Sequence, residues 1–175
     1  MPGSDHETHL LRGPRQAVEL GELFRFECRG KLLGRIPMAV RWKLDQCGLK
    51  IGLRAWSRLD FAERAELVGR PCASEAQREQ YRLCLFRLVA ESNIEVIADS
   101  AVPGGDEQAL FDQCAAYLRT HRGLMLDLAI WRSLNGLQRF ALGKLTREGH
   151  KNTFLDDVLL EIGLPSVTAG TAGSA

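Results

Sequence analysis

Three kinds of side chain in this 175-residue chain could do chemistry: thiols, imidazoles and a dense run of cations. The thiols are Cys28, Cys47, Cys72, Cys84 and Cys114, an odd number with no CxxC pair. A cysteine nucleophile needs a thiolate with a base beside it. Cys47 falls at the end of a helical pattern, where the negative end of the helix dipole raises a thiol pKa, and it lies on the apolar stripe. It reads as a small buried hydrophobe. Cys84 and Cys114 also fall on apolar faces, which leaves Cys72, in the loop before a helix, as the accessible thiol. His6 and His9 form an HxxH pair in a polar opening segment, but HETH is not the HExxH of zinc proteases. His121 shares a helix face with Cys114 and Tyr117 and reads as a core or rim histidine. His150 stands in a loop beside Arg147, Lys151 and Asn152, placed either to hold an anion or simply to be solvated. GxxxxGK[ST], GxGxxG and GxSxG are absent, and Asp156 and Asp157, adjacent on a helix, point in different directions. The sequence therefore predicts neither a catalytic constellation nor a metal or cofactor site.

The cations are the local anomaly. Between Arg29 and Arg58 eight (Arg29, Lys31, Arg35, Arg41, Lys43, Lys50, Arg54, Arg58) face one carboxylate, Asp45, a net +7 on a chain with 23 basic and 22 acidic residues. Such a stretch is either a patch that concentrates anions or a solvated helix back paired with acids elsewhere, such as Glu63, Glu66 or Glu75. The segment IPMAVRWKLDQCGLK (36–50) at its centre is expected to be a scaffold helix, its thiol packed inside and its cations turned outward. Only Trp42 and Trp56 could stack on bases there, so nucleic acid is the weaker partner. The opening residues show no secretory pattern, and no apolar run approaches the roughly 20 residues of a membrane span. A cytoplasmic protein with reduced thiols is the expectation.

The elements that position these groups are written twice. Laying 48–67 over 123–142 without a gap gives seven identities: Gly48/Gly123, Leu49/Leu124, Leu53/Leu128, Trp56/Trp131, Leu59/Leu134, Arg64/Arg139 and Leu67/Leu142. Asp60-x-x-Glu63 and Asn135-x-x-Gln138 are matched capping boxes, so each copy starts a helix at the same place. Upstream, Ile36, Val40, Leu44 and Cys47 share one helical face, and so do Leu110, Cys114, Tyr117 and His121. Gly48 and Gly123 then occupy the left-handed position that ends a helix. Leu49, Ile51, Leu53 and their counterparts Leu124, Leu126, Leu128 alternate as short extended segments. A third helix closes each copy, one led by Ser74-x-x-Gln77, the other by Thr153-x-x-Asp156 and stopped at Gly163 and Pro165. FRFEC (24–28) alternates as a strand edge. The expected fold is mainly α: a single domain over 19–164 made of two pseudo-symmetric three-helix units, about 24–91 and 107–164. The polar, Gly-rich stretch 92–106 joins them, between disordered tails at 1–18 and 165–175.

Several blocks resemble a known family. F-x-F-E (24–27), IPMAVRWKLDQCGLK (36–50), Trp56, the R-x-x-L of 64–67, Pro71-Cys72, W-x-x-L-x-x-x-QRFAL-x-KL-x-R-x-x-H-x-N (131–152) and E-x-GL (161–164) look like the nitrate reductase-associated proteins, best known in cyanobacteria. The resemblance runs over about 24–164 and fades across 92–122. It implies a small cytoplasmic accessory protein, not an enzyme, that assists assembly or maturation of assimilatory nitrate reductase, a molybdenum enzyme. The partner it implies is that reductase or its assembly machinery. No catalytic residues come with the family; the motif positions that transfer are Arg41, Lys43, Asp45, Cys47, Gly48, Arg139, Lys144, Arg147 and His150. The alternative is an anion-binding module for nucleic acid or a phosphate-bearing cofactor. On either reading the residues expected to meet a partner or anion are Arg35, Arg41, Lys43, Lys50, Arg54, Arg147 and His150.

Overall fold

A computed structural model describes residues 23–29, 32–91, 97–98, 106–149 and 152–164. After a 3₁₀ turn at Arg25–Cys28 come α1 (Met38–Gln46), β1 (Leu49–Lys50), α2 (Leu53–Arg58), α3 (Phe61–Gly69) and α4 (Glu75–Glu91). β2 (Ile97–Ala98), α5 (Glu107–Arg122), α6 (Leu128–Ser133), α7 (Gly136–Leu145) and α8 (Leu155–Glu161) follow. The chain is thus the expected mainly α single domain. β1 and β2 pair antiparallel, Leu49 opposite Ala98, so the stretch read as a plain linker contributes a short strand. Both predicted tails and His150 lie outside the described residues.

Local chemistry sets most of the helix ends. Asp60 Oδ1 accepts the Glu63 N–H at 2.8 Å while Glu63 accepts the Asp60 N–H at 2.6 Å. Asn135 and Gln138 exchange the same two bonds, both at 2.9 Å. Each box satisfies backbone donors that a helix start leaves free. Gly48 and Gly123 stand at φ 64° and 63°, where a side chain would be strained. Ser74 and Gln77 also cap each other. The Thr153 cap does not form: α8 starts after Phe154 with no side-chain bond, and Asn152 O takes the Leu155 N–H instead.

Two further expectations fail for a shared reason. Leu53 and Leu128 do not continue an extended segment; each opens a helix, behind Gly52 and Asp127, and is exposed. FRFEC is not a strand edge, because Glu27 folds its carboxylate back onto the Phe24 N–H at 3.1 Å and closes a turn. Five alternating residues cannot distinguish the two outcomes. On α5 the buried positions are Cys114 and Leu118; Tyr117 is half-buried and His121 exposed.

The buried apolar side chains form two clusters. One gathers Val40, Leu44, Trp56, Leu67, Tyr81 and Leu85 from α1 to α4. The other gathers Cys114, Leu118, Trp131, Leu142, Leu155 and Leu159 from α5 to α8. Trp56 and Trp131, 0% and 2% exposed, sit one in each, and Arg64 and Arg139 lie 5.8 Å from their respective ring centres. The two environments differ at the indole N–H, and Trp131 also meets the Phe111 ring edge-on. Trp56 Nε1 donates to Leu33 O at 2.8 Å, whereas Trp131 Nε1 has no partner among the described residues.

α1 bridges the clusters, touching α3 on one side and α7 on the other. The first described turn, Arg25–Cys28, crosses over as well. Although its sequence position groups it with the first unit, Phe24 and Phe26 belong to the second cluster. Phe26 stacks on Phe154 at 4.7 Å, the Arg25 N–H donates to Glu161, and Arg29 pairs with Asp157. Glu27 ties this turn to α1. Its Oε1 accepts the Met38 N–H at 2.7 Å, a service that Pro37, at the cap position, has no side-chain acceptor to provide. Glu27→Ala frees two backbone donors and should cost about 1–3 kcal/mol, read as a lower urea midpoint at unchanged slope.

Candidate functional site

The contact of α1 with α7 is built from residues 99 apart that meet at one ion pair, Lys144 Nζ to Asp45 Oδ1 at 3.2 Å. Gly136 lets the helices approach: a Cβ there would stand 3.1 Å from the Trp42 ring. On either side of the pair the surface is hollow. One hollow, about 310 Å³, has Ile36, Met38 and Leu44 among its apolar walls and Arg41, Lys50 and Arg147 around it. The second, about 440 Å³, runs between Trp42, Leu110 and Phe140 and shares Asp45, Lys144 and Arg147 with the first. A third, about 640 Å³, continues from Met38 and Arg41 toward Arg29, Arg35 and Phe154. Together they make a groove along α1 with a basic rim and a partly apolar floor.

Four of the seven expected residues meet here: Arg35, Arg41, Lys50 and Arg147. Arg54 is exposed on α2 and lines none of these hollows. Lys43 corrects the reading of α1. It is 1% exposed, and its ammonium reaches inward to Val68 O at 2.6 Å, capping the carbonyl end of α3. A long aliphatic stem allows a cation beside a buried stripe to take this route when a carbonyl waits at the end. The remaining α1 cation, Arg41, faces the groove, and its Nε bonds Ile36 O at 3.1 Å. Burial pulls the Arg41 guanidinium below the usual arginine range, while the nearby Glu27 opposes the fall. Glu27 itself is pushed up by burial, against the pull of its two N–H donors and Arg41.

Lys144 and Asp45 were visible as motif positions, but their pairing was not. Phe140, which Lys144 overlies at 4.9 Å, stood inside the QRFAL block, but nothing in the sequence placed it in the groove. The thiol expected to be accessible is not: Cys72 is 6% exposed and lies 3.6 Å from the sulfur of Cys47. Among the described residues no group of three or more His, Cys, Asp or Glu is arranged to hold a metal, and no helix is long and apolar enough to cross a membrane.

Chemically, the groove can hold carboxylates on Arg41, Lys50 and Arg147 while an apolar side chain covers Met38 and Leu44. In the first hollow the one lining carboxylate, Asp45, is engaged by Lys144, while Asp106 and Glu107 line the second hollow and Glu27 the third. No curated protein and no solved structure matches this chain. A family model does: it covers residues 23–162, spanning both halves, the turn that joins them and every residue of the groove just described. On that match the chain belongs to the family described as conserved nitrate reductase-associated protein.

Proposed function

We propose that this protein is a non-catalytic, cytoplasmic accessory factor that assists assembly or maturation of a molybdenum-dependent assimilatory nitrate reductase. On this reading the α1–α7 groove docks an acidic, partly apolar segment of the reductase or of its assembly machinery. The observation that carries the reading is the family match across residues 23–162. The groove supports it, since Arg41, Lys50 and Arg147 offer three cations around a floor that a side chain such as Leu or Phe would cover. The two halves are, on the same reading, diverged copies of one helical unit. The paired capping boxes, the two left-handed glycines and the two Arg–Trp stacks support this.

Deleting the gene should abolish nitrate reductase activity while transcript and reductase polypeptide persist, and the wild-type copy should restore it. Undiminished growth on nitrate as sole nitrogen source would end the proposal. A phosphate-bearing cofactor is the second reading, favoured by the same basic rim. It requires the isolated protein to bind such a ligand, and saturable binding of pyrophosphate lost in Arg41→Gln would support it over docking.

A further inference from the structure

Cys47 and Cys72 come from different elements and meet in the interior. Cys47 closes α1, its N–H on Lys43 O and Leu44 O. Cys72 lies in the loop between α3 and α4, one residue after Pro71. Their sulfurs are 3.6 Å apart, and the residues are 4% and 6% exposed. The other thiols are committed elsewhere: Cys84 to Glu66 Oε1, Cys114 to Thr146 Oγ1, and Cys28 on the surface.

We propose that Cys47 and Cys72 are a redox modification site, a dithiol that hydrogen peroxide converts to a reversible intramolecular disulfide. The separation favours this outcome over stable sulfenic acid. A disulfide needs the sulfurs at about 2.0 Å, so the gap must close by roughly 1.6 Å, within reach of side-chain rotation aided by the Arg70–Ser74 loop. The surroundings also assign the roles. Either sulfur can donate to the other across the 3.6 Å gap; with Cys47 as the donor, that bond and the positive charge of Lys43, Arg78 and Arg82 lower the Cys72 thiol against burial. Cys47 moves the other way, raised chiefly by its bond to Cys72. In that donor arrangement Cys72 is the attacking thiolate and Cys47 the resolving thiol.

In the first step the Cys72 thiolate attacks one peroxide oxygen; the O–O bond breaks, hydroxide leaves, and Cys72 becomes a sulfenic acid. The hydroxide takes the proton that Cys72 had released and becomes water. Cys47 sulfur then attacks the sulfenic sulfur, the S–O bond breaks, and the departing hydroxyl leaves as water with the Cys47 proton. Two thiols lose two electrons, and one peroxide becomes two waters. Because both sulfurs are buried, the oxidant enters when the Arg70–Ser74 loop opens. The cross-link would anchor the last residue of α1, the helix that also carries Arg41 and Asp45 into the groove. The pairing of the two sulfurs is a matter of thiol geometry and stands whether or not the groove binds a reductase.

The test uses the full chain with the exposed thiol removed (Cys28→Ser). The folded protein is treated with hydrogen peroxide, alkylated and digested without reduction. The expected product is a Cys47–Cys72 linked peptide pair, lighter by two hydrogens, that dithiothreitol separates. The oxidised protein should melt roughly 5 °C or more above the reduced form. In Cys47→Ser the same treatment should leave a sulfenic acid on Cys72 that dimedone captures. Two free, alkylatable thiols after peroxide would overturn the proposal. So would links to Cys84 or Cys114 in equal yield, or a linkage that forms only in denaturant.

Discussion

Reversing Lys50 and Arg147 together to Glu should weaken binding of cofactor-free nitrate reductase at least tenfold and leave the fold intact. Both side chains are exposed and neither makes a described hydrogen bond or ion pair, so the melting temperature should move by no more than about 2 °C. The double variant turns two cations at the groove rim into two anions facing an acidic segment. Rim charges act mainly on the association rate and its salt dependence, and like charges brought together cost several kcal/mol. The wild-type affinity should fall as ionic strength rises, and the variant's should not. Arg41 is a poorer choice because its Nε also holds Ile36 O, and Lys43 is unusable because its ammonium is part of the core. Titration of the reductase by calorimetry reads both effects; equal affinity for wild type and variant would remove the groove as the docking surface.

The largest loss of stability is expected at Trp56. Trp56→Ala should cost about 3–5 kcal/mol, the range for emptying a buried aromatic site. A comparison isolates the polar share of that loss. Trp56→Phe gives up the 2.8 Å bond to Leu33 O, a carbonyl on a residue held at φ 56° that among the described residues otherwise accepts from Arg64 alone. Trp131→Phe gives up no described bond and relieves a buried N–H without an acceptor. The second change should therefore be the milder by about 1 kcal/mol or more, measured by urea unfolding at matched slopes. Equal losses at the two sites would mean that the Trp56 indole bond to Leu33 O carries no energetic weight.

What the sequence disclosed divides by range. The capping boxes at Asp60 and Asn135, the terminal glycines and the apolar stripe of α1 depend on residues close in sequence, and these were legible, whereas the Thr153 cap was not borne out. Lys43 was misread because its fate depends on Val68 O, 25 positions away, and nothing in IPMAVRWKLDQCGLK reveals that carbonyl. Glu27 was visible as part of F-x-F-E, yet its service to α1 spans 11 residues and a proline. The site followed the same rule. The basic stretch was plain, but which of its cations share a groove was decided by α7, a helix 90 residues downstream. The contact of Cys47 with Cys72 was hidden for the same reason, since each thiol was judged from its own segment.

Finally, the crossing of the first turn sets an order on synthesis. Phe24 and Phe26 leave the ribosome early, but the ring that covers Phe26 is 128 positions later, at Phe154. At typical elongation rates that is on the order of ten seconds. For that interval the Phe26 ring lacks the partner it stacks on in the folded protein. That stack can thus close only once Phe154 is made, and a chain truncated before Phe154 would leave the Phe26 ring without it.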